Sequence, residues 1–203
     1  MRKALKRIAI CFLAVTFVWM GSVFADRQKL RNELIRLHVV AASDSEEDQA
    51  IKLRVRDAVV ESLSTEMQNL TDTNQAKAYL QENLPKIEAI ANRVLKEAGC
   101  GHLATVSLAV EEFTTRVYDT FALPAGIYDA LRITIGEGQG KNWWCVVFPT
   151  LCLPATSEGF EDVACGVGFS ETLANTLTGE EGYEIRFFLL DYLGSIENFL
   201  RRD

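Results

Sequence analysis

The sequence has few of the residues from which catalytic and metal sites are usually built. Only two histidines occur in 203 residues, His38 and His102, and no other ligand type is spaced around them as a metal site requires. There is no C-x-x-C pair, so neither a redox dithiol nor a zinc ribbon is indicated. Repeats and low-complexity tracts are missing as well. We therefore expect no metal and no cofactor.

Basic residues are scarce outside the N-terminus. Residues 1–25 hold four of the 21 lysines and arginines and none of the 28 acidic residues, so the remaining chain has a formal net charge of −11. Such an acidic body is a poor partner for nucleic acid, which attracts clustered lysine and arginine. Anionic lipid headgroups should repel it as well. A cationic protein surface would suit it better.

Long apolar runs are also rare, and the one that could cross a bilayer lies at the N-terminus. Arg2–Arg7 is positively charged, Ile8–Met20 carries no charge, and Val23–Ala25 has side chains of the size that a signal peptidase accepts. This order predicts an export signal over residues 1–25, cleaved between Ala25 and Asp26. The alternative is an uncleaved anchor, because the apolar run approaches the length of a spanning helix.

The cysteines that remain after such cleavage agree with export. They are even in number: Cys100, Cys145, Cys152 and Cys165. Proteins that leave the cytoplasm commonly form disulfides. Four cysteines allow three complete pairings, and their spacing alone does not choose among them.

Alternating residues predict a strand near the start of the exported chain. From Leu34 to Ala41 one face is apolar, and the other carries Arg36 and His38. Ser45 then begins a helix, because Ser45 and Asp48 have the spacing of a capping box and an apolar stripe at helical spacing follows.

Proline and glycine divide the middle of the chain. A short helix over residues 75–82 should stop before Pro85, which then starts a second helix that ends at Gly99. Alternation at period two predicts strands at 104–110, 115–118, 128–135 and 143–148, with residues 136–140 closing a hairpin between the last two.

The final part of the chain is less regular. Residues 155–182 should form a loop, followed by a strand at 183–188 and a helix at 189–200. The order of elements predicts one α+β domain over residues 26–203, with an N-terminal strand, two to three helices, a mainly antiparallel sheet and a C-terminal helix.

Several segments could carry chemistry, and each has a simpler explanation. Gly136–Lys141 lacks the spacing and the Ser or Thr of a phosphate loop, and a strand follows it. Cys145 and His38 could form a nucleophile–base pair, but four cysteines in an exported protein favour disulfides. The acids of Asp44–Asp48 could serve a cell-wall glycosidase, yet they also suit a helix N-terminus. No segment predicts an enzyme, and the alternative of an exported cell-wall or peptide hydrolase stays open.

Longer motifs resemble one known family, the stage II sporulation protein R family. They cover about residues 30–153: residues 35–45, 47–50, 52–57, 123–126, 136–138 and 140–149. Two departures are Ala42, where the family usually has Asn, and Thr150, where it usually has a second Pro. Neither change removes a charged or aromatic group.

The resemblance implies a role that composition does not show. Members are exported from the forespore into the space between the two sporulation membranes. There they trigger a membrane-embedded aspartic protease, which cleaves the precursor of a mother-cell sigma factor. The resemblance thus implies a secreted signal and not an enzyme, with the extracytoplasmic part of that receptor protease as its partner.

Two further expectations concern individual residues. Within the matched region, Cys145 and Cys152 enclose a turn at Pro149, which predicts a disulfide between them and leaves Cys100 and Cys165 as a possible second pair. The receptor-contact hypothesis is built from residues near the first strand and the Gly-rich segment: Arg36, His38, Asp44, Lys141, Asn142, Trp143 and Trp144. The alternative for the strand is an internal ion pair of Arg36 with Asp44 or Asp57.

Overall fold

The computed structural model describes residues 2–118, 121–149, 169–179 and 184–201. In chain order the elements are α1 (Arg2–Glu33), β1 (Ile35–Val40), α2 (Glu46–Gln68), α3 (Thr73–Glu97), β2 (Ala104–Phe113), β3 (Arg116–Val117), β4 (Ala122–Leu123), β5 (Gly126–Ile135), β6 (Asn142–Phe148), α4 (Glu171–Thr178) and α5 (Glu184–Arg201). The predicted α+β class, with an N-terminal strand, following helices, a sheet and a C-terminal helix, is confirmed.

The four longer strands form one mixed sheet in the order β2-β5-β1-β6. β1 runs parallel to β5 and antiparallel to β6, and β2 runs antiparallel to β5. All six residues of β1 are buried, as expected for a central strand that is covered on both faces. β3 and β4 form a separate two-stranded ribbon.

The predicted hairpin between β5 and β6 is wrong, because β1 lies between them. Residues 136–141 instead cross the end of β1, where the Gly140 amide donates to the Ala41 carbonyl at 2.9 Å. Gly140 packs so tightly here that a Cβ would lie 2.2 Å from the Ser43 carbonyl oxygen. A hairpin prediction considers only strands that are neighbours in sequence. Here β1, which is distant in sequence, pairs with both β5 and β6 and so separates them.

The helices on the first sheet face follow the sequence signals closely. The Ser45 hydroxyl accepts from the Asp48 amide at 3.1 Å and caps α2. Gly99 has a φ of 70° just beyond α3, as a left-handed cap requires. α2 and α3 cover the face that includes Ile35, Leu37 and Val39.

Pro85 does not divide two helices, as predicted, but lies inside α3. A proline removes one hydrogen bond within a helix, from the amide that it lacks to the carbonyl four residues earlier. Gln81 and Pro85 are both exposed. Water can therefore satisfy the Gln81 carbonyl, and the long apolar stripe of α3 keeps the helix continuous.

The second sheet face is covered by the two ends of the chain. The last third of α1, the β3–β4 ribbon, α4 and α5 pack there around a second core that includes Leu30, Phe113 and Leu190. α4 corrects the prediction of a loop over residues 155–182, although residues 155–168 and 180–182 lie outside the described part. The strand predicted for 183–188 is also wrong, because α5 begins at Glu184 and its apolar stripe extends the predicted C-terminal helix.

Candidate functional site

Arg36 lies in the second core and not on the surface. Its side chain is fully buried, with the guanidinium carbon 4.3 Å from the centre of the Phe113 ring and 5.2 Å from that of Tyr128. Nη2 donates to the Tyr118 hydroxyl at 2.9 Å. Nε and Nη1 have no hydrogen-bond partner within the described residues. Aromatic faces thus take the place of an acid beside this cation.

The predicted ion pair of Arg36 with Asp44 or Asp57 is therefore wrong. Asp44 accepts from the Lys141 amide at 2.7 Å, and Asp57 pairs with Arg56. Both acids lie outside the second core, in a loop and in α2 respectively. The expectation that Arg36 is exposed for a partner is also not met, because the chain ends cover this part of the sheet.

His38 joins side chains from four strands into what we call the sheet-face cluster: His38, Glu111, Arg132, Asn142 and Trp144. Nδ1 of His38 lies 2.7 Å from the Glu111 carboxylate, and Nε2 lies 3.0 Å from Oδ1 of Asn142. The Trp144 ring stacks on the imidazole with ring centres 3.9 Å apart. These contacts at both ring nitrogens and on the ring face fix the orientation of the imidazole.

Glu111 is the electrostatic centre of the sheet-face cluster. Its second carboxylate oxygen accepts from Nη1 of Arg132 at 3.1 Å. Burial alone raises the pKa of the Glu111 carboxyl, but the hydrogen bonds and positive charges of His38 and Arg132 outweigh burial, and the net shift of the pKa is downward. Glu111 therefore stays ionised in the folded protein well into the acidic range.

Sequence reasoning missed Glu111 and Arg132. Their partner His38 lies in β1, and the register that places His38 beside Arg132 exists only once β1 is inserted next to β5. The signal that could have found them is a charged residue on an alternating strand: Glu111 in β2 and Arg132 in β5 each interrupt a face that is otherwise apolar or small. Without the strand order, the sequence does not show that these side chains lie close together.

Asp44 and Lys141 meet at the end of the sheet, although through the backbone of Lys141. The Lys141 carbonyl accepts from the buried Lys52 ammonium at 3.1 Å, and Lys52 also donates to Gln49 at 2.6 Å. Burial, followed by the nearby charge of Arg56, lowers the pKa of Lys52, and Asp44 partly opposes this. The side chains of Asp44 and Lys141 remain exposed.

Trp143 and Trp144 point to opposite faces of β6, as adjacent strand residues must. Trp143 is 37% exposed, and the guanidinium of Arg56 lies 4.2 Å from the centre of its ring. We call this area the Trp143 surface, defined by Asp44, Arg56, Lys141, Asn142 and Trp143. Asn142 adjoins Trp143 along the strand, but its side chain points to the second face, where it reaches His38, so it also belongs to the sheet-face cluster.

The geometry separates Cys145 from His38. Leu37 faces Cys145 across the β1–β6 pair, while His38 faces Trp144. Cys145 therefore belongs to the first face and His38 to the second, so they cannot act as nucleophile and base. Among the residues described, no group of three or more His, Cys, Asp or Glu side chains is placed to hold a metal ion.

Of the described cysteines, Cys11 and Cys100 are free, whereas Cys145 is disulfide-bonded. The predicted partner Cys152 lies outside the described residues, as does Cys165, so the pairing of Cys145 with Cys152 stays a prediction. The possible second pair is not formed, because Cys100 is a free thiol.

The N-terminal apolar segment forms part of one long helix. α1 is long and apolar enough to cross a membrane, as a signal sequence would also be. Its apolar side chains up to Val18 are exposed, whereas Val23 and Leu30 are buried in the second core. The helix passes without interruption through the predicted cleavage position between Ala25 and Asp26.

Comparison with known proteins identifies a family and a relative. The sequence model of the family described as stage II sporulation protein R matches residues 31–158. A curated protein named Stage II sporulation protein R, from Bacillus subtilis (strain 168), is 32% identical over 183 residues, which cover 81% of this chain and 82% of that protein. No solved structure matches the chain.

Proposed function

Because the chain belongs to the stage II sporulation protein R family, we propose that it is an exported signalling protein of endospore formation. In this proposal it reaches the space between the forespore and mother-cell membranes. There it binds the extracytoplasmic part of a membrane-embedded aspartic protease and activates it. The protease then processes the precursor of a mother-cell sigma factor. The chain itself has no catalytic role.

The observation that carries the proposal is the Trp143 surface. A tryptophan that is more than a third exposed and is held against an arginine combines two residue types that are enriched in binding hot spots. Lys141 and Asn142 lie beside it and are exposed. These side chains sit on a strand end and a tight loop, so little conformational entropy is lost when a partner binds.

The sheet-face cluster fixes the position of the strand that carries the Trp143 surface. His38 holds Asn142 through Nε2, and the stacked Trp144 fixes the neighbouring part of β6. We assign these residues a positioning role. Arg36 has no place in the contact surface, since it is fully buried.

The hydrolase alternative loses its nucleophile–base pair in this fold. Cys145 is disulfide-bonded and faces away from His38. A ligand and an enzyme also differ in stoichiometry. The proposed signal should activate its receptor in proportion to occupancy, whereas a hydrolase would act many times on its substrate.

The test is co-purification of the exported protein with the extracytoplasmic part of the receptor protease. Trp143→Ala and Arg56→Ala should each weaken binding by about 30-fold, as expected when a contact tryptophan or arginine is truncated. Val110→Ala is the matched control, because Val110 is 44% exposed on the opposite sheet edge. Processing of the sigma-factor precursor is measured in parallel.

The variants must keep their fold for the result to count. Unchanged melting with lost binding and lost processing supports the Trp143 surface. Normal binding by both variants would place the interface elsewhere. No binding by the unaltered protein, together with turnover of a wall or peptide substrate, would favour the hydrolase.

A further inference from the structure

In the C-terminal helix α5, polar side chains face the protein and apolar side chains face outward, the reverse of an ordinary amphipathic surface helix. Its charged and amide side chains between the two ends, Arg186, Asp191, Glu197 and Asn198, make contacts inside the protein, whereas the terminal Glu184 and Arg201 are exposed. Arg186 pairs with Asp26, and Glu197 pairs with Arg27 and Arg31. Asp191 accepts from the Ala125 amide at 2.7 Å, and Asn198 donates to the Phe113 carbonyl at 2.9 Å. These polar groups of the helix are therefore directed toward the protein and not toward water.

The outward face of α5 is apolar along the length of the helix. Six large side chains project from it, each 38–69% exposed, at helical spacing: Ile185, Phe188, Tyr192, Ile196, Phe199 and Leu200. The rings of Phe188 and Tyr192 stack with their centres 6.2 Å apart. We call this face the α5 stripe. Monomeric soluble proteins rarely expose a continuous apolar patch of this extent.

The helix α5 lies next to the membrane-spanning candidate and contacts it through its polar inward face. α1 crosses directly from its exposed apolar part into the segment that contacts α5, without a break in the helix. Asp26, Arg27 and Arg31 all follow the apolar run within about three turns, and all three pair with α5. A bilayer around the apolar part of α1 is therefore close to α5 as well.

We propose that in the full chain, while α1 is uncleaved, the α5 stripe lies against the lipid bilayer, with its aromatic side chains in the boundary between headgroups and acyl chains. Tyrosine is favoured at that depth, and phenylalanine and leucine are typical of the apolar face of an interfacial helix. Interfacial helices bury an apolar face by about 5–10 Å in general. Lipid would explain this arrangement of α5. An apolar environment favours apolar side chains on the outward face, and the charged side chains are then more stable on the inward face, where they have partners.

The binding is apolar and not electrostatic. The stripe contains no lysine or arginine, and Arg201 only follows its end. The exported chain as a whole is acidic. Anionic lipid should therefore add nothing to the contact, in contrast to interfacial helices with a basic polar face.

The experiment uses the full chain in phosphatidylcholine vesicles. Phe188→Cys and Phe199→Cys report on the stripe, and Leu103→Cys is the control, because Leu103 is 73% exposed on the loop before β2. A membrane-impermeant maleimide is added, and labelling is read site by site by peptide mass spectrometry. This readout also keeps the native thiols Cys11 and Cys100 separate. Labelling rates in urea after lipid removal correct for intrinsic reactivity.

We expect both stripe positions to be labelled about 10-fold more slowly than the control, because lipid excludes a charged reagent. The ratio should not change when phosphatidylglycerol replaces part of the lipid or when the protein is diluted about tenfold in the same lipid. Equal rates at all three positions overturn the proposal, as does a chain that fails to float with the vesicles.

Two other results identify a different occupant. Protection that disappears on dilution of the protein in the lipid indicates a second copy of the chain on the stripe. Protection that requires phosphatidylglycerol indicates headgroup charge and not apolar insertion. Either result rejects the bilayer as proposed here.

Discussion

Arg36 is a cation in the second core with two nitrogens unpartnered among the described residues. Burying a charge without an acid is costly, and the Phe113 and Tyr128 rings offset part of that cost through cation–π attraction. The side chain also fills a large volume beside the central strand. Its charge and its bulk therefore have opposite effects on stability.

Arg36→Met separates these two effects. Methionine keeps most of the volume and removes the unpartnered charge, so the free energy of unfolding should stay within about 1 kcal/mol of the parent or rise. Tyr118 keeps a contact to the Trp144 carbonyl. Arg36→Ala, in contrast, leaves a cavity and should cost about 2–3 kcal/mol. Urea titrations measure both, and a loss of several kcal/mol in the methionine variant would show that the charge itself is needed.

Glu111→Gln tests the electrostatics of the sheet-face cluster. Losing the charged hydrogen bonds to His38 and Arg132 should lower the free energy of unfolding by about 1–3 kcal/mol at pH 7. The folded pKa lies below the unfolded one, so this contribution is complete above about pH 4.5 and is lost as the pH falls through the folded value. Unfolding curves at pH 7 should differ, and those in acid should converge for parent and variant. Glu137→Gln, at an exposed position, is the control.

At the scale of elements, α5 is positioned by a close approach at Gly194. A Cβ there would lie 1.6 Å from the Ala125 carbonyl oxygen, in the turn before β5. The same turn donates its amide to Asp191. The backbone of the helix therefore packs directly against the backbone of the turn.

Gly194→Ala should push α5 away from the sheet and cost about 2–4 kcal/mol, at or somewhat above the usual cost of overpacking because backbone atoms must move. Gly101→Ala is the control, because a Cβ at that position would meet no atom within 4 Å and its φ is not positive. Thermal melting of both variants gives the comparison. Equal melting temperatures would mean that α5 can shift without loss.

Local signals predicted most of the elements. The alternation of β1, the Ser45 cap of α2 and the Gly99 cap after α3 are all decided by residues close in sequence, and the structure confirms them. Pro85 and α4 were mispredicted because tertiary packing decides whether a proline or a polar segment stays helical. The hairpin failed because pairing with β1 acts over a long sequence distance.

The candidate site, too, was predicted only in part from the sequence. The contact hypothesis joined Asp44 with Lys141, Asn142 and Trp143, and the Asp44 carboxylate does accept from the Lys141 amide, but a partner contact of these residues stays a prediction. The burial of Arg36 could not be predicted, because it depends on the distant chain ends that cover the second sheet face. Glu111 and Arg132 were missed because they approach His38 only through the strand order.

For the molecule as a whole, processing of the N-terminus is the first prediction. Mass spectrometry of the exported protein should find Asp26 as its first residue, because the charge, apolar run and small residue at position 25 follow the order of a signal peptide. Ala25→Phe should reduce cleavage. An exported protein that begins at Met1 would instead establish α1 as a permanent anchor.

The second prediction for the whole molecule concerns the disulfide of Cys145. Peptide mapping without reduction should link Cys145 to Cys152, and closure of this short loop should stabilise the fold by about 2.5 kcal/mol in the chain-entropy model. Cys152→Ser should lower the melting temperature, whereas Cys100→Ser should not, since Cys100 is free. A peptide that joins Cys145 to Cys165 would contradict the pairing.

The central position of β1 also governs when the chain can fold. If the chain is exported N-terminus first, β1 is the first strand to leave the translocation channel, and its neighbours β5 and β6 follow only after α2, α3 and β2. No sheet can form around β1 until those late strands have emerged, and contacts so distant in sequence form slowly. In an exported precursor, this topology would favour folding after passage through the membrane and would keep the chain threadable.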